Sequence, residues 1–61
     1  MTIRVLLVDD HAVVRDGVGY LLAAQADIKV VGGVDTASQA VALTVQEQAD
    51  IVIMDISLPG L

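Results

Sequence analysis

The fold is decided by residues 3–10, which read IRVLLVDD, and by a second stretch of similar form at residues 50–55, DIVIMD. In each stretch, a run of aliphatic and β-branched residues ends at an aspartate. Runs without alternation of apolar and polar residues are typical of strands buried on both faces, as in parallel sheets. The two stretches therefore predict buried parallel strands with carboxylates at their carboxyl ends.

The residues that follow the first stretch predict a helix over residues 12–24. Its apolar positions recur with the helical period and share one face: Val14, Val18, Leu21 and Leu22. A second apolar stripe lies beside this face: Val13, Tyr20 and Ala24. The helix is therefore expected to need cover on more than its sheet-facing side.

Residues 28–34 predict a second strand, and its lysine and adjacent glycines favour an edge position. Residues 36–39, TASQ, match a capping box at the start of a second helix. That helix is expected to run to about Gln48. Four of its residues are expected to lie on one face: Ala37, Ala40, Val41 and Thr44. A turn is predicted at residues 59–60, after the last strand.

The predicted order is β-α-β-α-β, an α/β arrangement. Strand–helix–strand units within one sheet connect right-handedly. With the second strand at the edge and the first in the centre, the spatial order is 2-1-3 and the helices lie on opposite faces. This order creates a switch point, and open α/β sheets bind ligands there, beyond the carboxyl ends of the strands.

Composition limits what the 61 residues can be. Hydrophobic residues make up 56%, which excludes a disordered chain, and the net charge of −5 argues against direct contact with nucleic acid. No apolar run approaches the roughly 18 residues of a membrane span, and the first residues do not resemble a signal peptide. There is no cysteine, so a cytoplasmic location is expected. The length allows one domain at most.

Aspartates at the ends of two neighbouring strands predict a cation site. Asp9 and Asp10 follow the first strand and Asp55 follows the third. Neighbouring strands lie about 4.8 Å apart, so these carboxylates can share one ion. Carboxylate oxygens suit a hard divalent cation, and Mg²⁺ is expected. The competing interpretation is that Asp9 or Asp10 only caps the first helix.

Two segments carry a resemblance to a known family. Residues 5–11, VLLVDDH, and 53–60, IMDISLPG, resemble the two halves of the acidic pocket of a response-regulator receiver domain. Asp-Asp-His followed by residues 14–17, VRDG, is similar to the NarL/LuxR-type subfamily. The resemblance implies a doubly wound, flavodoxin-like (CheY-like) sheet and a role in two-component phosphorelay signalling, as part of a transcriptional response regulator.

The resemblance also implies roles for particular residues. Asp55 would accept a phosphoryl group from a phosphohistidine of a sensor histidine kinase. Asp10, Asp55 and the backbone carbonyl of Ser57 would hold Mg²⁺, with Asp9 in the outer shell beside a metal-bound water. The domain would be a phospho-accepting signalling domain, not an enzyme. His11, at a helix start, and Tyr20, on a helix, are expected to be a polar or capping neighbour and a packing residue, respectively.

A receiver sheet has five strands in the order 2-1-3-4-5. Residues 1–61 are therefore expected to form the N-terminal half of a receiver domain, with the C-terminal half and any DNA-binding output domain absent from this sequence. The third strand would then be an open apolar edge, which predicts a homodimer or another chain that completes the sheet. The alternative function is a non-signalling remnant that acts only through such association. A phosphatase that uses an aspartyl phosphate fits poorly, because residues 55–57 lack a second aspartate that would act as the acid and protonate the leaving group.

Overall fold

The chain forms three strands and two helices in alternation. A computed structural model describes residues 1–55. The elements in chain order are strand β1 (Ile3–Val8), helix α1 (Ala12–Ala23), strand β2 (Ile28–Val34), helix α2 (Ala37–Gln46) and strand β3 (Ile51–Met54). This confirms the predicted β-α-β-α-β order. Ser57 and the turn predicted at residues 59–60 lie outside the described residues.

The strands form a parallel sheet in the order β2-β1-β3, as predicted. β1 pairs with β3 in continuous register, and the last pair is Val8 with Met54. The pairing of β1 with β2 shifts by one residue, since Val5 lies opposite Val30 but Leu6 lies opposite Gly32. β1 is therefore the central strand, and its carboxyl end lies beside the carboxyl end of β3.

The core is built around β1. Its last four residues, Val5 to Val8, are all buried. On one face, Leu6 and Val8 pack with Ala40 of α2 and with Leu43. On the other face, a Cβ added at Gly19 of α1 would lie 3.4 Å from Leu7 Cδ1. The alternating side chains of β1 thus contact the two helices separately, which confirms that the helices lie on opposite faces.

The inward face of α1 differs from the predicted one. Val18 and Leu22 are half-buried as expected, but Val14 and Leu21 are 45% and 68% exposed. The line of contact passes through Gly19, where the missing side chain permits a close approach to β1. The second stripe is exposed, with Tyr20 at 80%. Within residues 1–55, neither helix is long and apolar enough to cross a membrane.

The start of α2 confirms the predicted capping box in part. Thr36 Oγ1 accepts a hydrogen bond from the Gln39 backbone N–H at 3.3 Å. The Gln39 side chain accepts from the N–H of Asp35 at 3.4 Å, one residue before the expected donor. The predicted inward position of Val41 is wrong, because its side chain is 70% exposed and Leu43 packs against the core instead.

β3 is as apolar as β1 but is far less covered. Ile51, Val52 and Ile53 are 48%, 36% and 43% exposed. In the part of the chain that the structure describes, β3 pairs only with β1. Within the described residues, the prediction that β3 is buried on both faces is therefore wrong. The prediction that β3 forms an open apolar edge is confirmed there.

Candidate functional site

The carboxyl ends of β1 and β3 bring the three predicted acidic residues together. Asp9 and Asp10 follow β1, and Asp55 follows β3. One carboxylate oxygen from each of them and one ring nitrogen of His11 all lie within 4.8 Å of one another. The side chains of Asp9 and Asp55 are only 18% and 22% exposed, whereas that of Asp10 is 43% exposed. We call these four residues the acidic cluster.

Backbone hydrogen bonds fix the two strand ends relative to each other. The N–H of Asp55 donates to the carbonyl oxygen of Val8 at 2.9 Å, and the N–H of Asp9 donates to that of Val34 at 3.0 Å. The side chain of Arg15 also donates from Nη1 to the carbonyl oxygen of Asp9 at 2.6 Å. Asp9 and Asp55 thus stand on anchored backbone, and the parallel register places them on one edge of the sheet.

His11 contributes more to this edge than the sequence predicts. Its N–H donates to Asp9 Oδ1 at 2.8 Å, and its Nδ1 lies 2.8 Å from the same oxygen. The same Nδ1 lies 3.0 Å from Asp10 Oδ1 and 3.9 Å from Asp55 Oδ2. The imidazole is therefore a member of the acidic cluster as well as a polar residue at the helix start.

Two signals in the sequence point to this role. His11 is the one histidine of the chain, and it follows the Asp-Asp pair directly. An aspartate accepts readily from the backbone N–H two residues later, and this places the residue at that position over the carboxylate. Arg15 carries no comparable signal, because its bond to the backbone of Asp9 depends on how α1 packs on the sheet.

The interpretation of Asp9 or Asp10 as a helix cap does not hold. The N-cap residue of α1 is His11, and its side chain makes no capping hydrogen bond. Asp9 accepts from the N–H of His11, one residue before the first helical residue. The two aspartates therefore do not cap the helix, and their carboxylates are turned toward one another.

The close contacts shift two pKa values in opposite directions. Hydrogen bonds from the backbone and ring of His11 lower the pKa of Asp9. The hydrogen bond to Asp9 and the negative charges of Asp10 and Asp9 raise the pKa of His11. Both shifts favour the ionised pair, so in this arrangement the ring stands in for part of the positive charge that three adjacent carboxylates require.

The donor set of the cluster fits a divalent cation. Three carboxylates lie close enough to share one ion, and two of them stand on backbone that the sheet holds in place. Oxygen donors of this kind suit Mg²⁺, which takes one or two carboxylates and keeps several waters. The partial exposure of Asp10 leaves room for those waters.

A parallel sheet in the order 2-1-3 with acidic residues at the ends of its first and third strands matches the arrangement of receiver-type α/β domains. Residues 5–61 match the family described as response regulator receiver domain. The chain belongs to this family, whose members are signalling domains that generally bind Mg²⁺ at acidic residues.

Curated relatives place the chain among two-component response regulators. It is 44% identical over 59 residues to the transcriptional regulatory protein LiaR of Bacillus subtilis, covering 97% of this chain and 28% of that protein. It is 43% identical over 56 residues to the response regulator protein VraR of Staphylococcus aureus, covering 92% of this chain and 27% of that protein. The chain thus spans about a quarter of the length of these relatives.

Solved structures agree on the fold. The chain is similar to the signal receiver domain of the putative response regulator NarL from Mycobacterium tuberculosis, with a TM-score of 0.91, 32% identity, and coverage of 98% of this chain and 48% of that one. It is also similar to a LuxR-family two-component response regulator from Aurantimonas, with a TM-score of 0.89, 40% identity, and coverage of 98% and 43%. The predicted family and its NarL/LuxR-type subfamily are confirmed.

Proposed function

We propose that this chain accepts a phosphoryl group on Asp55 from a phosphohistidine of a sensor histidine kinase, with Mg²⁺ bound in the acidic cluster. The observation that carries the proposal is the meeting of the Asp9, Asp10 and Asp55 carboxylates within 4.8 Å at the ends of two paired strands. Membership of the receiver family supports it, since response regulators are phosphorylated by sensor histidine kinases. We propose further that the whole protein regulates transcription, as the name of the relative LiaR suggests.

Asp55 is the nucleophile that the resemblance to receiver domains implies. Its backbone N–H is bonded to Val8 and its side chain is largely covered, so the carboxylate is held at the edge of the sheet. A carboxylate oxygen of Asp55 attacks phosphorus, the phosphorus–nitrogen bond breaks, and the imidazole of the kinase leaves with the bond electrons and takes up a proton. The product is an acyl phosphate on Asp55. The transfer modifies the protein's own side chain and is not an enzymatic turnover.

Mg²⁺ would neutralise charge as the anionic carboxylate and the anionic phosphoryl group approach each other. Asp10, Asp55 and the backbone carbonyl of Ser57 would hold it, with Asp9 in the outer shell. Asp10 is the most exposed of the three carboxylates, which suits a group that shares its ion with water. Asp9 already accepts two hydrogen bonds from His11, which suits a residue that positions its neighbours.

Labelling with acetyl phosphate tests this function. In the presence of Mg²⁺, we expect intact-mass spectrometry to show the addition of one phosphoryl group to the chain, and we expect a chelator to suppress it. Asp55→Asn is expected to abolish the labelling. Asp27→Asn removes the same charge outside the cluster and is the matched control, which should label normally. Persistent labelling of folded Asp55→Asn would refute the assignment of the phosphoacceptor.

The family match and the acidic cluster favour the receiver function over a remnant that acts only by association. Association remains a proposal beside it. The exposed apolar residues Ile51, Val52 and Ile53 form a strand edge, and such an edge can pair with the same edge of a second copy around a twofold axis. We propose that the chain dimerises through β3. Sedimentation at micromolar concentration should show a dimer, and a folded monomer would refute this.

A further inference from the structure

The side chain of Arg15 extends from α1 across the sheet to the end of β1. Its Nη1 donates to the carbonyl oxygen of Asp9 at 2.6 Å. Among residues 1–55, the guanidinium forms no ion pair, although the carboxylates of Asp9 and Asp10 follow the same strand. A backbone group therefore sets the position of this cation, and the cation does not occupy the neighbouring carboxylates.

The stem of Arg15 is placed by a glycine of β2. A Cβ added at Gly33 would lie 3.6 Å from Arg15 Cδ and 3.8 Å from Arg15 Nε, so the side chain passes over this glycine with room for a methyl group and little more. Gly33 pairs with Leu7 of β1, close to the strand end that carries Asp9. Packing on Gly33 and the hydrogen bond to Asp9 thus hold the two ends of the Arg15 side chain.

The hydrogen bond from Arg15 fixes the peptide group that joins Asp9 to Asp10. The N–H of Asp9 donates to Val34 at 3.0 Å, so β2 holds the N–H of this residue and Arg15 holds its carbonyl. Because a peptide group is planar, the direction of the Asp9 carbonyl also sets the positions of the Asp10 N–H and Cα. The Asp10 side chain is 43% exposed, so its direction depends on this backbone more than on packing.

We propose that Arg15 is a positioning residue for the phosphorylation of Asp55, because its bond to the Asp9 carbonyl holds the Asp10 carboxylate where it can share a cation with Asp55. The proposal rests on the proposed function of the acidic cluster. Groups that orient metal ligands through hydrogen bonds typically contribute 10- to 100-fold in metal affinity or activity. Arg15 acts through the backbone and does not contact the reacting groups, so its loss should weaken Mg²⁺ binding and leave the rate at saturating Mg²⁺ nearly unchanged.

Two pairs of substitutions separate the position of the guanidinium from its charge. Arg15→Met keeps most of the stem and removes the donor and the charge, and Lys29→Met, its matched control, removes the same charge from an exposed position on β2. Gly33→Val retains Arg15, but its branches extend into the space that the stem occupies. Gly33→Ala, the second control, adds only the Cβ that this space admits. A positioning role requires that Arg15→Met and Gly33→Val behave alike.

The rate of labelling by acetyl phosphate, measured by intact-mass spectrometry over a series of MgCl₂ concentrations, tests the proposal in variants that circular dichroism shows to be folded. Arg15→Met and Gly33→Val should raise the Mg²⁺ concentration for half-maximal rate by roughly tenfold or more and change the rate at saturating Mg²⁺ by less than about threefold. Lys29→Met and Gly33→Ala should change neither quantity. A merely structural role would leave the half-maximal concentration of the folded variants unchanged.

The amide resonance of Asp10 gives a second readout that needs neither Mg²⁺ nor labelling. A hydrogen bond to the Asp9 carbonyl polarises the whole peptide group, so the Asp10 nitrogen on its other side responds to the bond. In ¹⁵N-labelled chain with chelator, we expect this resonance to move in Arg15→Met and in Gly33→Val and to stay in place in both controls. An unmoved resonance in Arg15→Met would overturn the proposal.

The proposal about Arg15 and the proposed function fail in different ways. If the original chain is labelled on Asp55 and folded Arg15→Met needs no more Mg²⁺ than the original chain, the proposal about Arg15 is wrong and the proposed function stands. If the original chain is not labelled but MgCl₂ shifts its Asp10 amide, the phosphoacceptor function is wrong. A midpoint of that shift roughly tenfold higher in Arg15→Met then supports the positioning role, and an equal midpoint overturns it. If Mg²⁺ does not bind the folded chain, both proposals are wrong.

Discussion

β1 and β3 have nearly the same kind of sequence but very different surroundings. Both are aliphatic and β-branched, both end at aspartate, and they pair in parallel along four residues. Yet the last four residues of β1 are buried by two helices and two strands, whereas the first three residues of β3 are more than a third exposed. An apolar run therefore predicts a strand, but the elements that pack against that strand determine how deeply its side chains are buried.

The largest expected effect of this difference is on stability. Leu6→Ala in β1 removes a side chain with no exposed surface and should cost about 2–5 kcal/mol of the free energy of unfolding. A chain of this size has only about 3–5 kcal/mol to lose, so much of the sample should unfold. Ile53→Ala in β3 should cost only about 1 kcal/mol, because almost half of that side chain is already exposed.

Urea denaturation followed by circular dichroism measures both costs under the same conditions. The comparison of the strands predicts a much lower midpoint for Leu6→Ala than for Ile53→Ala. Equal midpoints would mean that β3 is as well covered in solution as β1 is.

The next effect concerns association. Val52→Lys places a charge on the exposed edge strand β3. In the sheet, Val52 pairs with Leu6 of β1. Because edge lysines oppose strand pairing, we expect the dissociation constant of the dimer to rise by about tenfold in this variant. Sedimentation velocity over a concentration series measures this. Lys29→Ala on the opposite edge strand, β2, is the control and should leave the dimer unchanged.

Two glycine substitutions sharpen the contrast between covered and open positions. A Cβ at Gly17 of α1 meets no atom within 4 Å, so Gly17→Ala should stabilise the chain by about 0.5–1 kcal/mol through helix propensity. A Cβ at Gly32 of β2 would lie 3.2 Å from Leu6 Cδ1, so Gly32→Ala should displace the core side chain at a cost of about 1 kcal/mol. Thermal unfolding of the two variants should show shifts of opposite sign. Higher thermal stability in both variants would show that the core around β1 repacks at little cost.

The smallest effect concerns the charges that join the two strand ends. The pKa of His11 is raised, chiefly by its hydrogen bond to Asp9. A raised pKa contributes stability that is fully present below the unfolded value of about 6.5 and is lost as the pH rises through the folded value. In buffer with chelator, the free energy of unfolding should therefore fall slightly over this range.

Asp9→Asn should bring the His11 pKa back toward its ordinary value and reduce this pH dependence. Proton NMR of the imidazole, titrated in chelator, measures the pKa directly. An unchanged His11 pKa in Asp9→Asn would contradict the assigned cause. Asp27→Asn removes the same charge elsewhere and should leave the His11 pKa raised.

The sequence alone predicts the topology because strand signals and helix signals alternate without ambiguity. The apolar runs at residues 3–8 and 51–54 predict two of the strands, and the edge position of the second strand gives the order 2-1-3. The handedness of the crossovers then places the two helices on opposite faces. Side-chain orientation on the helices is less predictable. Val41 and Leu43 of α2 both fit an apolar stripe, and only the packing against Leu6 selects Leu43.

The acidic edge is predictable for the same topological reason. Parallel neighbours end at the same side, so Asp9, Asp10 and Asp55 had to approach one another. The place of His11 is not fixed by topology, because it depends on the turn between β1 and α1 and on a hydrogen bond from its own N–H to Asp9. A periodic pattern does not report such a local contact.

We propose that the ends of β1 and β3 form one divalent-cation site. Titration of the ¹⁵N-labelled chain with MgCl₂, followed by amide resonances, tests it most directly. We predict that the amides of Asp10, His11 and Asp55 shift together with one midpoint, that Asp10→Asn and Asp55→Asn each abolish all of these shifts, and that Asp27→Asn leaves them unchanged. Separate midpoints at the two strand ends, or shifts at one end that survive loss of the carboxylate at the other, would contradict the claim.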